Sequence, residues 1–150
     1  MSDKYETANL ILKLYELRRE EVMRKARSWY IGEFHPESLE DISKAAMGEH
    51  SAYYRMVTTY WDMAASFVNN GAIDEQMFND ANGEHMAVFS KIEPYLTEIR
   101  NFSGMPQYMQ HLEKLVMRMP DAKERMAAMR ERFKQMASAR EEAASRAQAG

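Results

Sequence analysis

The residues best suited to chemistry in this chain lie in a repeated phrase, Gly48-Glu49-His50 and Gly83-Glu84-His85. The likeness runs on through Ala52 with Ala87, Tyr54 with Phe89, Val57 with Ile92, and Tyr60 with Tyr95. Neutral imidazole and carboxylate together suit zinc or iron, which makes His50, His85, Glu49 and Glu84 candidate ligands of one metal ion. Spacing opposes that assignment. Neighbouring residues on a helix project about 100° apart, and metal sites in helical bundles use Glu-x-x-His spacing to bring both ligands to one face. No histidine here has a carboxylate three or four residues away. If the two phrases open consecutive antiparallel helices, their imidazoles also stand at opposite ends of the pair. The competing assignment is two core histidines, each hydrogen-bonded to a tyrosine or a backbone group.

Other chemistry finds less support. Cysteine is absent, which removes thiol nucleophiles, thiolate metal sites and disulfides together. The serines sit in no Gly-x-Ser-x-Gly turn, and there is no phosphate loop, dinucleotide fingerprint or calcium loop. The sequence therefore leans away from an enzyme and implies no cofactor. Fourteen methionines are many for 150 residues, and Met117, Met119, Met126, Met129 and Met136 crowd one region. Thioethers bind copper(I), but at helical spacing they more often fill a core or form an adaptable binding surface. Tyr53, Tyr54, Tyr60, Trp61 and Tyr95 read in the same way, as core aromatics whose hydroxyls reach the rim, with a ligand pocket as the alternative.

The elements that must position these residues are helices. Gly and Pro number only 6 and 4, and β-branched residues are too scattered for strands. The expected fold is all-α: a single domain over 1–150, a bundle of five to six helices whose first and last are long. Ala8, Leu12, Tyr15, Arg19, Val22, Ala26 and Trp29 form the stripe of the first, which ends near Gly32 and His35-Pro36. A short helix opens at Ser38, with Asp41 in the reciprocal capping position. His50, Tyr53, Val57, Tyr60, Ala64 and Phe67 mark the next, with Tyr54, Trp61 and Val68 making it the most buried. Asn69-Asn70-Gly71 stops that helix and Asp74 caps its successor. A stripe from Phe78 through His85, Val88, Ile92, Tyr95 and Ile99 to Phe102 follows, with a kink or break at Pro94. Pro106 can open a further helix, closed at Pro120.

From Asp121 the residues Ala122, Met126, Met129, Phe133, Met136, Arg140, Ala143 and Ala147 keep a seven-residue repeat, the pattern of a coiled-coil-like seam. Residues 141–150 should fray unless a partner holds them. Arg19 and Arg140 each replace an apolar residue in a terminal stripe, where an arginine either snorkels or meets a carboxylate of another helix.

Charge is unevenly placed. Residues 1–33 carry 7 basic and 6 acidic groups, 34–100 carry 4 and 11, and 101–150 carry 9 and 6. An acidic middle between basic ends argues against a nucleic-acid footprint and for terminal helices docking on the central ones. No stretch is apolar enough to span a membrane, no targeting segment is visible, and a cytoplasmic protein is expected.

From Tyr53 to Phe102 the chain resembles a family of small, helical bacterial proteins of unknown function. The resemblance rests on Tyr60 and Phe67, then Asn70-Gly71-Ala72-Ile73-Asp74, Phe78, the Gly83 region, and Pro94-Tyr95 through Ile99-Arg100. It implies helical architecture and supplies no activity. The expected function is that of a protein-interaction or scaffold module. It would form a homodimer or bind another protein through Arg19, Met126, Met129, Phe133, Met136 and Arg140. A metal- or small-ligand-binding bundle using His50, His85 and nearby tyrosines is the alternative.

Overall fold

The computed structural model describes residues 3–150. Those residues form nine α-helices and one short 3-10 turn, with no strand among them. In chain order the helices are α1 (Lys4–Arg18), α2 (Glu21–Gly32), α3 (Leu39–Met47), α4 (Ser51–Asn69), α5 (Glu75–Ala81), α6 (Glu84–Ile92), α7 (Leu96–Ser103), α8 (Gln110–Met117) and α9 (Ala122–Ala149). The 3-10 turn, Glu93–Tyr95, joins α6 to α7.

Helix α4 is the axis of the fold. It packs against α2, α3, α5, α6 and α8, and Val57, Trp61, Ala64 and Ala65 on it are almost wholly hidden. Its buried face runs Tyr54, Val57, Trp61, Ala64, Val68, so the centre of burial is displaced from the expected stripe, and Phe67 is left 39% exposed. The local signals behave as their chemistry requires. Ser38 Oγ accepts from the Asp41 amide at 3.2 Å, while Asp41 reaches back to the Glu37 amide at 2.9 Å. Gly71 takes a left-handed φ of 83° after α4, and Asp74 caps α5 through the Met77 amide.

The expected long first helix is two helices. Glu20 turns the chain to φ −57°, ψ 143°, and its carboxylate accepts from the Val22 and Met23 amides at 3.0 and 2.9 Å, opening α2 afresh. Those two amides also hold the Glu20 carboxyl below its ordinary range. The break changes which residues face inward. Thr7 and Leu14 are buried in α1, whereas Leu12, Tyr15 and Val22 of the expected stripe are exposed. The stretch 74–102 is likewise divided, at Asn82-Gly83 as well as at the 3-10 turn containing Pro94. The count of helices accordingly exceeds the expected five to six.

Pro106 does not open α8. Turns carry the chain to Met109, at φ 59°, and α8 is capped from outside by Asp62 of α4, whose carboxylate accepts from the Leu112 amide at 2.9 Å. Ion pairs tie the basic ends to the acidic middle: Arg27 with Glu84, Arg118 with Glu75, and Arg130 with Glu93. The last helix is 28 residues long and continuous to Ala149.

Candidate functional site

The two Glu-His phrases that offered candidate metal ligands are held apart by the fold. His50 stacks on Trp29, ring centroids 4.9 Å apart, at the start of α4. Its neighbour Glu49 projects outward with 89% of its side chain exposed. His85 lies against Trp61 and Phe78, at 5.8 and 5.1 Å. Trp61 follows His50 by eleven residues on α4, so at about 1.5 Å per residue the two imidazoles pack about 16 Å apart along that helix. Glu84 is committed elsewhere. Its carboxylate takes Arg27 Nε and Nη2 at 2.8 and 3.1 Å and the Trp61 indole N–H at 3.2 Å. Among the described residues, no three histidine, aspartate or glutamate side chains are placed to hold one ion.

His85 itself is a core residue. Its Nε2 sits 3.0 Å from Asn79 Oδ1, and its Nδ1 is buried without a hydrogen-bond partner. Because the amide oxygen only accepts, Nε2 bears the proton and Nδ1 is a bare lone pair. Burial holds this imidazole down to about 4, and Arg125 of α9 pushes in the same direction.

The seam of α9 divides into two parts. Ala122 and Met126 are buried against the body, and Met129 packs on the core edge. Phe133 is half-buried, Met136 is 59% exposed, and residues 138–150 are all exposed. The first half of the repeat is thus consumed within the chain. Arg140 neither snorkels nor meets a carboxylate, since its Nη1 donates to Gly32 O at 3.1 Å. Arg19 ends α1, exposed, with its guanidinium 5.5 Å from the Tyr15 ring.

What α9 covers is a site the sequence reading missed: the C-terminal end of α2. The last four carbonyls of a helix lack partners within it, and they carry the negative end of its dipole. Here side chains from three elements supply the donors. Lys91 of α6 donates to Tyr30 O, Ile31 O and Phe34 O at 2.8, 3.1 and 2.6 Å. His35 Nε2 and Arg140 Nη1 both reach Gly32 O, at 3.2 and 3.1 Å. Phe133 of α9 lies over the Lys91 ammonium at 4.3 Å, a cation–π contact that seals it from water. Only 3% of Lys91 is exposed. That burial draws its ammonium down to about 7, while His35 is lowered by burial first and by Lys91 next.

Beside this cap, the turn after α2, the 3-10 turn and α9 enclose a cleft of about 400 Å3. Lys91 is at its floor, Pro36, Pro94 and Phe133 form apolar walls, and Arg130 and Lys134 of α9 stand along one side. Glu37 and Glu131 also line it, so the cleft is of mixed charge. A trace of Lys91 was present in the sequence. It stands three residues after Val88 and four before Tyr95, on the edge of an apolar stripe where a lysine must find carbonyls or emerge.

The sequence model of a domain family described as a domain of unknown function, DUF4760, matches residues 5–119. No curated protein and no solved structure matches the chain. The matched range holds α1 to α8 and the whole α2 cap except Arg140 and Phe133, which α9 contributes.

Proposed function

We propose, from the premise that the chain belongs to this family of domains of unknown function, that it is a helical protein-interaction module which self-associates through α9. The observation that carries the reading is the course of that helix. Past Arg140, its last polar tie to the body, α9 continues for more than two turns with every residue exposed. An exposed helical stretch of that length is marginal in water, and a partner helix would stabilise it. Ala143 and Ala147 extend the face that Met126, Met129 and Phe133 turn toward the body, with Met136 exposed on the same face. Small side chains there let a second helix approach closely, while Met136 supplies an adaptable apolar contact. The self-associating surface is therefore Met136, Arg140, Ala143 and Ala147, with Met126 and Met129 as its internal foundation.

Sedimentation equilibrium over a wide concentration range tests the reading. The chain is expected to show a monomer–dimer equilibrium. A double variant, Ala143→Glu with Ala147→Glu, is expected to shift it to monomer, with the packed helices retained and an unfolding midpoint that no longer depends on concentration. A native chain that stays monomeric at every concentration contradicts the reading, as does a variant that dimerises as well as the native chain.

A further inference from the structure

The Lys91–His35 pair can hold one proton in comfort and not two. Lys91 Nζ lies 3.3 Å from His35 Nδ1. His35 Nε2 faces a carbonyl, Gly32 O, and so bears a proton, which leaves Nδ1 as a lone pair turned toward the ammonium, whose three N–H groups have Tyr30 O, Ile31 O and Phe34 O as acceptors. A second proton on Nδ1 would set N–H against N–H across that distance, beside the Phe133 ring, with His35 itself only partly buried. Arg140 brings a further cation to the same Gly32 oxygen.

The groups around the pair do not absorb that charge. From the turn after α2 comes Glu37, and from α3 Asp41, whose carboxylate is bonded to the Glu37 amide. The 3-10 turn gives Tyr95 and Glu93, the latter paired with Arg130 at 3.5 Å. Helix α9 gives Arg130, Glu131, Lys134 and Arg140. None of these carboxylates is hydrogen-bonded to His35 or to Lys91. Helix α2 presents its carbonyl oxygens.

We propose that α9 is an acid-released clasp: a second proton on the Lys91–His35 pair drives the Phe133–Arg140 segment off the end of α2. The segment is the part able to move. Before it, Ala122 and Met126 are buried and Arg130 Nη1 is bonded to Ser90 O at 2.9 Å. After Arg130, Glu131 and Lys134 line the cleft from exposed positions, and Phe133, Met136, Ala137 and Arg140 border the body at the α2 end. Lifting Phe133 returns water to Lys91, and lifting Arg140 removes a neighbouring cation from His35, so the open form binds the second proton more tightly. Protons then favour opening by the difference in their affinity for the two forms. The inference rests on the reading of α9 as the binding arm and supplies its regulation: acid frees the Phe133–Arg140 part of the seam for the second copy.

Hydrogen exchange of the full chain, corrected for intrinsic rates and followed from about pH 8 to about pH 5, tests this across the range where histidine takes up a proton. On chain dilute enough to stay monomeric, protection of residues 133–140 is expected to fall at least tenfold on acidification, with residues 122–130 unchanged, and His35→Gln is expected to abolish the fall. Unchanged protection in the native chain, or an equal fall in His35→Gln, overturns the clasp. Should that variant not fold cooperatively, an NMR titration of the native chain decides. The His35 ring and the 133–140 amides must share one midpoint, and separate midpoints overturn the proposal. Mass is measured over the same pH range at higher concentration. Release without a change of mass keeps the clasp and removes self-association, whereas association without release does the reverse.

Discussion

Replacing Glu84 by alanine tests whether the second Gly-Glu-His phrase is architecture. In the native chain this one carboxylate joins three helices: Arg27 of α2 donates to it twice, Trp61 of α4 donates its indole N–H, and α6 begins on it. Arg27 also reaches Arg18 O at the end of α1, so a fourth helix hangs on the same guanidinium. The side chains of Arg27 and Glu84 are 23% and 17% exposed. Breaking a fully buried pair costs about 3–5 kcal/mol, and an exposed pair is worth about 0–1 kcal/mol. This pair lies between, and the orphaned indole and the lost anion at the α6 N-terminus both add, so the expected loss is about 2–3 kcal/mol. In a chain of this size that lowers the melting midpoint by about 5–10 °C. Urea unfolding followed by tryptophan fluorescence reads it, with an unchanged m-value showing that the folded state is otherwise retained. Arg27→Met and the double variant complete a cycle, in which coupling of about 1–2 kcal/mol is expected. A loss under about 0.5 kcal/mol, additivity in the cycle, or a native chain stabilised by added zinc through Glu84 would refute the assignment.

Three further outcomes follow from the titrating and strained positions. His85 has its imidazole lowered to about 4. The unfolded chain therefore binds the extra proton first as pH falls through about 6.5, and stability drops by ~2 kcal/mol between pH 7 and pH 5 from this residue alone; His85→Leu should flatten that part of a urea-denaturation pH profile. Lys91 is lowered to about 7, so between pH 7 and pH 9 the unfolded chain holds a proton that the folded chain releases, and stability rises by up to ~1.4 kcal/mol per pH unit. Lys91→Met should remove the rise, and a flat native profile over that range would show that the carbonyl oxygens hold the ammonium charged. Asp121 adopts φ 54° at the start of α9 without a side-chain cap; Asp121→Gly should raise stability by ~1 kcal/mol in thermal unfolding, since glycine takes that conformation without strain.

The features readable in the sequence are those set by near neighbours. Ser38 with Asp41, and Gly71 with Asp74, announce helix ends because donor and acceptor lie within three residues of each other. The α1–α2 break was hidden because Leu12, Tyr15, Arg19 and Val22 keep their spacing straight across it, and because glutamate at position 20 is an unusual N-cap. Periodicity reports the phase of a helix, not whether the helix continues or which side finds a partner. The α2 cap was out of reach for a different reason: its donors come from positions 35, 91 and 140, more than fifty residues apart for Lys91 and its acceptors. The Met126–Met129 part of the last repeat was legible as a seam, but only the fold shows that the seam is filled from within the chain.

The most direct test of α9 as a self-associating arm uses the absence of cysteine. Ala147→Cys gives a single thiol on the exposed seam, and a spin label there reports distances between copies. Dipolar coupling is expected that deepens with concentration and disappears when labelled chain is diluted into unlabelled chain. An intact helix with no coupling between copies at any concentration would contradict the account.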